Sequence, residues 1–132
     1  MRTTVHLTTL ALCLATVAAC EPESLDGVEV VGDAVTSGGV YTLKAVHSGK
    51  CVDITGASTS SGANVEQWDC SGHTNQQFRF TDTGGGVYEV RPQNSTTQCL
   101  DVWGSSTTNG GNVDQWAWAN VNQEQFQLVT VP

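Results

Sequence analysis

The stretch CVDITGASTSSGANVEQWDC at residues 51–70 is written a second time, altered, as CLDVWGSSTTNGGNVDQWAW at residues 99–118. A shift of 48 lays Cys51 on Cys99, Asp53 on Asp101, Gly56 on Gly104, Gly62 on Gly110 and Asn64 on Asn112. The same shift lays Val65, Gln67 and Trp68 on Val113, Gln115 and Trp116, and Gln77-Phe78 on Gln125-Phe126. Ten of the eighteen positions from 51 to 68 are identical. The fronts, VYTLKAVHSGKC and VYEVRPQNSTTQC, match with a slip of one residue. One copy therefore spans about 47 residues, near 40–86 and again near 87–132. A period of this length means a repeated supersecondary unit that cannot bury its apolar face alone and stacks on its neighbours.

Each copy reads as four short strands. YTLKAV alternates apolar and polar positions, and KCVDIT, NVEQWD and QFRFTD are short runs rich in β-branched and aromatic residues between Gly/Ser/Asn turns. TDTGGGVY supplies the turn between copies. No segment has a helical period, so the expected class is all-β, closed or partly closed.

CVDI, GANVEQWDC and NQQF, in that order and at constant spacing, resemble the ricin-type β-trefoil lectin repeat, with its C-L-D, Q-x-W and N-Q-x-[FW] signatures. The resemblance covers nearly all of residues 40–132. It implies a β-trefoil-like fold, and here the chain departs from the family: a trefoil has three repeats and this sequence shows two. Open sheet edges are usually covered in natural β proteins, so self-association is expected.

A pyranose offers one face of C–H groups and a ring of hydroxyls. Binding it calls for a flat aromatic and for a carboxylate or amide that fixes adjacent hydroxyls. Asp53, Trp68, Asn75 and Gln76 are such a set within one copy. The resemblance gives them those jobs: the aspartate accepts from hydroxyls, the tryptophan stacks, the amides complete the bonds. Glu66 stands where the Gln of Q-x-W is expected. In copy two, Asp101 and Trp116 are in place and Asp114 stands at the Glu66 position. WANVNQEQF puts Gln123-Glu124 opposite Asn75-Gln76, and a one-residue bulge would bring Asn122 and Gln123 into use. Trp103 and Trp118 are aromatics that copy one lacks. The resemblance also implies a Cys51–Cys70 disulfide, in keeping with an exported chain. Trp118 takes the partner position opposite Cys99, which is expected to be a small buried thiol.

The N-terminus is set apart. MRTTVH leads into the apolar run LTTLALCLATVAA, of secretory-signal length and too short for a good membrane span. It ends in Val17-Ala18-Ala19-Cys20, which resembles a bacterial lipobox, so residues 1–19 are expected to be removed and Cys20 lipidated. Ordinary cleavage after Ala19 is the alternative. Residues 20–39, rich in acid, Gly and Ser, read as a tether to the domain at 40–132, with a short edge strand at Val28–Val31 as an option.

Five Lys and Arg stand against 13 Asp and Glu, a formal net charge of −8. Nucleic acid needs a basic surface to displace counterions from phosphate and is not an expected partner. The spacing of Cys51, Cys70, Cys99, His47 and His73 is not that of a zinc site. No hydrolase, metalloprotease or phosphate-loop motif is present, and no cofactor is implied. Asp53 and Asp101, equivalent residues of two repeats, would serve two sites rather than one glycosidic bond. The expected function is non-catalytic binding of galactose- or xylose-type glycans by an exported module anchored in the cell envelope. The alternatives are a protein-interaction scaffold and an accessory module of a secreted glycoside hydrolase.

Overall fold

The computed structural model describes residues 35–129. Eight antiparallel strands follow in order: β1 (Val40–Tyr41), β2 (Cys51–Ile54), β3 (Ala63–Trp68), β4 (Phe78–Gly84), β5 (Val87–Pro92), β6 (Gln98–Val102), β7 (Val113–Ala117) and β8 (Gln125–Gln127). Each copy supplies four. The outer strands of both copies form one sheet in the order β1-β4-β5-β8, and the two inner hairpins form the second in the order β2-β3-β7-β6. The architecture is all-β and trefoil-like.

Period-two patterning fixes which residues face inward. In β4, Phe78 and Phe80 are buried and Arg79 between them is exposed. They join Ile54, Val90 and Leu100 in the core, with Tyr41, Val52, Val65, Tyr88 and Phe126 packed around them. Phe80 meets Tyr41 and Tyr88 edge-on, with ring centroids 5.6 and 6.1 Å apart. This geometry favours the aromatic quadrupoles. Gly84, Gly85 and Gly86 all have positive φ, so the GGG run makes the tight β4–β5 turn at little steric cost.

Packing reaches back to Val35, ahead of the expected boundary at 40. Val35 packs on the core, and its carbonyl accepts a hydrogen bond from the Tyr88 hydroxyl at 3.1 Å. The Gly38 amide donates to the Phe80 carbonyl at 2.7 Å. Gly38-Gly39 looked like linker composition, yet the positive φ of Gly38 turns the chain alongside β4. The signal segment, Cys20 and the option of a strand at Val28–Val31 lie outside the described residues.

Copy two braces copy one. Gln115, fully buried, donates from Nε2 to the carbonyls of Ser58 and Ser60 at 2.9 and 2.8 Å. Asn94 donates to the carbonyls of Ala57 and Ser58, both at 3.0 Å. These bonds fix the loop that walls the copy-one cleft. The equivalent loop of copy two, residues 104–111, makes side-chain bonds only within itself among the described residues, such as Ser106 to Thr108. The end strands β1 and β8 carry exposed Val40, Leu43 and Val46 on or after one edge and Leu128 and Val129 after the other.

Candidate functional site

Pairing brings the site residues of copy one together. Asp53 lies opposite Glu66, and Cys51 opposite Trp68. Opposed residues share a face, and residues two apart along a strand share it too. Cys51, Asp53, Glu66 and Trp68 thus project from one side of the β2–β3 hairpin. The 3-10 turn Thr74–Gln76 packs against β2 and presents Asn75 and Gln76, both buried.

The Asp53 carboxylate is clamped. Asn75 Nδ2 and Gln76 Nε2 donate to its Oδ2 at 2.9 and 2.7 Å. Asn75 also donates to the Ile54 carbonyl at 3.2 Å, and Gln76 to the Asp69 carbonyl at 2.9 Å. Gln76 Oε1 accepts from the Ser71 amide at 2.8 Å and from its hydroxyl at 3.1 Å. Both amides therefore have their NH2 groups fixed by acceptors, and both of their bonds to Asp53 reach Oδ2. Oδ1 accepts no side-chain hydrogen bond among the described residues. Around it lies an open cleft of about 630 Å3, lined by Asp53, Glu66, Trp68, Asn75 and Gln76. Trp68 is 61 % exposed, a large apolar ring held in solvent beside a fixed carboxylate.

The sequence did not single out the rim. Thr55, Gly56, Ala57, Ser71 and His73 line the cleft as well. Ala57 has φ 52 and its copy-two equivalent Ser105 has φ 54. A left-handed conformation costs a residue with a Cβ about 1 kcal/mol or more, and such outliers concentrate at binding sites.

Copy two repeats the frame with different chemistry. Asp101 lies opposite Asp114, and Cys99 opposite Trp116. A smaller cleft of about 300 Å3 is lined by Asp101, Trp103, Gly104, Ser105, Trp116 and Gln123. Trp103 meets Trp116 edge-on at 5.6 Å, which widens the aromatic wall. The expected bulge is not formed. The 3-10 turn Asn122–Glu124 keeps the register of Thr74–Gln76, so Gln123 takes the Asn75 place and Glu124 the Gln76 place. Asn122 is exposed and does not line the cleft, whereas Gln123 does. Asp114, at the Glu66 position and opposite Asp101, is 1 % exposed and does not line the cleft.

Glu124 cannot donate as Gln76 does. Its carboxylate accepts from the amides of Ala119, at 3.0 Å, and Val121, at 3.2 Å. Burial pushes the carboxyls of Asp101 and Asp114 above the usual range, and for Asp101 the charges of Asp114 and Glu124 add to it. A carboxyl with a raised folded value stabilises the fold fully below its unfolded value, here 3.8, and that stability is lost as pH rises through the folded value. Lys50 holds the exposed Asp69 below the usual range, so that group loses stability only as pH falls below 3.8. Thermal unfolding scans from pH 4.5 to 7.5 are therefore expected to show the midpoint decreasing as pH rises. A midpoint that rises across that window would contradict the reading of Asp101 and Asp114.

Cys51 and Cys70 form a disulfide with Cα atoms 5.1 Å apart. Cys99 is a buried free thiol, pushed up to about 12, chiefly by burial and then by the Glu124 charge. At the closing position of copy two, the Arg91 guanidinium lies over the Trp118 ring, 5.3 Å from its centroid.

A family model described as ricin-type beta-trefoil lectin domain-like matches residues 29–129. The chain belongs to this family. The lectin-like domain is similar to the designed three-fold symmetric protein ThreeFoil, at 42% identity and TM-score 0.67, over 76% of this chain and 68% of that one. It is similar to an exo-beta-1,3-galactanase from Clostridium thermocellum, at 31% identity and TM-score 0.67, over 73% of this chain and 21% of the enzyme. The beta-agarase AgaB34 of Agarivorans albus is 33% identical over 65 residues, 48% of this chain and 14% of the enzyme. The curated relatives are much longer proteins, of which the lectin-like domain covers 11% and 14%.

Proposed function

We propose that the domain binds galactose- or xylose-type residues of glycans or polysaccharides without transforming them. The observation that carries this reading is the clamped Asp53 carboxylate beside exposed Trp68. An acceptor held by two amides needs no reorganisation to take ligand hydroxyls, and an exposed indole offers the flat apolar surface that a pyranose face requires. Asp53, Glu66, Trp68, Asn75 and Gln76 form the first site, and Asp101, Trp116 and Gln123 the second. Two similar relatives are named for acting on galactan and agar, which supports the galactose class. They also favour a second reading, in which such a domain holds a hydrolase to its polymer; the domain's own role, binding, is the same. Protein interaction through degenerate repeats is the remaining alternative.

Shallow sites of this kind bind weakly one at a time, and affinity for a surface comes from engaging several. Lipidation of Cys20 would supply that by displaying many copies on a cell envelope, and mass spectrometry of the mature N-terminus tests it. Self-association across the β1 and β8 edges would add sites, and sedimentation as a stable monomer at micromolar concentration would remove that part of the proposal. Binding itself is tested on a glycan array. Retention on galactose- or xylose-terminated glycans, competed by the free sugar, is the expected result, and retention that free sugar does not compete favours protein interaction.

A further inference from the structure

The two clefts share a frame but differ at one buried position. In copy one, Gln76 donates an N–H to Asp53. In copy two the same place holds Glu124, 1 % exposed, whose carboxylate has only acceptor oxygens. Asp101 accepts no side-chain hydrogen bond among the described residues, although its equivalent accepts two. Both carboxylate oxygens of the adjacent buried Asp114 also have no partner. Asp101 thus stands opposite Asp114, with the turn that carries Glu124 packed against its strand, and neither aspartate has a hydrogen that would satisfy it. No group of acidic, His or Cys side chains among the described residues is arranged to hold a metal ion. The smallest ligand that completes the cluster is a proton.

We propose that a proton held between Asp101 and Asp114 replaces the Gln76 amide hydrogen, so that Glu124 makes the second cleft a proton-dependent binding site. With the proton bound, an O–H from Asp114 steadies one oxygen of Asp101 and leaves the other to accept from a ligand, as Asp53 does. Without it, like charges oppose one another across β6, β7 and the 3-10 turn, and Asp101 is not held. The groups facing Asp101 are Asp114 from β7, Glu124 from the 3-10 turn and the Cys99 thiol on its own strand. On β5, Arg91 is paired to Glu89, and its charge reaches the Cys99 thiol. The upward displacement of both aspartates by burial agrees with this. The first cleft, with an amide at the same place, has no need of the proton.

The part of this inference that concerns ligands rests on the carbohydrate reading; the part that concerns the proton does not. Glu124→Gln tests both, because a glutamine already occupies the equivalent place in copy one and its Oε1 can still accept from the Ala119 amide. Ligand-free thermal unfolding from pH 4.5 to 7.5 is expected to show a smaller pH slope for Glu124→Gln, and a midpoint about 5 °C above wild type at pH 7.5. A profile superimposable on wild type overturns the proposal. In a Trp68→Ala background, which leaves the second cleft to report, galactose is expected to bind at least fivefold more tightly at pH 5 than at pH 7.5. Adding Glu124→Gln should remove that difference. The same pH ratio with and without Glu124→Gln overturns the proposal. If galactose binds no variant, wild type included, the carbohydrate reading fails and the unfolding profiles alone decide the proton.

Discussion

Trp68→Ala is expected to weaken binding of galactose-terminated glycans to the first cleft about thirtyfold, with little change in unfolding midpoint. The ring is 61 % exposed and belongs to no core cluster, so its removal opens no internal cavity. What is lost is the apolar surface beside Asp53, and aromatic anchors of a binding site cost about 2 kcal/mol or more when truncated, which corresponds to that factor. Asp53→Asn separates stacking from hydrogen bonding. The asparagine can turn its oxygen toward Asn75 and Gln76, which keeps the clamp, but it then presents an N–H to the ligand where a carboxylate oxygen stood. A hydrogen bond to a charged group contributes about 1.5–3 kcal/mol, so binding should again fall at least tenfold while the fold survives. Titration calorimetry with an immobilisation-free galactoside checks both. Unchanged affinity in the double variant Trp68→Ala, Trp116→Ala would refute the assigned sites.

Loss of the Cys51–Cys70 disulfide is expected to cost more stability than the loss of any surface contact. The bond joins residues 19 apart, and in the loop-closure account a bridge of that span contributes about 3 kcal/mol by restricting the unfolded chain. For a domain near 100 residues that is about 15 °C in midpoint. The Lys50–Asp69 pair beside it, at 2.6 Å but exposed, cannot compensate. Because Cys51 lies opposite Trp68, the bridge also holds the end of the hairpin that carries the stacking ring. Cys51→Ser, Cys70→Ser should therefore unfold about 15 °C lower and bind more weakly. A midpoint within 3 °C of wild type would show that packing alone closes copy one, as the Arg91–Trp118 contact does in copy two.

Much of this was legible in the sequence because it is periodic. The offset of 48 gave the strand count, since strands and their turns repeat together, whereas it was the resemblance to the lectin repeat that grouped Asp53, Glu66, Trp68, Asn75 and Gln76, which line one cleft. Contacts between copies were not legible. Gln115 repeats Gln67, yet Gln67 is exposed and accepts from Ser48, whereas Gln115 is buried and holds the loop of the preceding copy. Identity of residue does not reveal which copy has a neighbour on that side. Asn122 was assigned through a bulge because matching Asn-Gln to Asn-Gln is the natural reading of letters. The backbone instead keeps the spacing to the buried Phe78 position, since slipping the turn by one residue would drag its buried third residue out of the interior. Glu124 was visible as an oddity, but its effect on Asp101 needed the geometry that packs its turn against β6.

The central claim is that the copy-one cleft receives a galactose-type ring between Trp68 and the clamped Asp53. The most direct measurement is a galactose titration of the isotope-labelled protein followed by two-dimensional NMR. The account predicts saturable shifts of the Trp68 indole N–H and of the Asn75 and Gln76 side-chain amides, with weaker change at Trp116 at neutral pH. Shifts that saturate elsewhere and leave those three groups in place would contradict it.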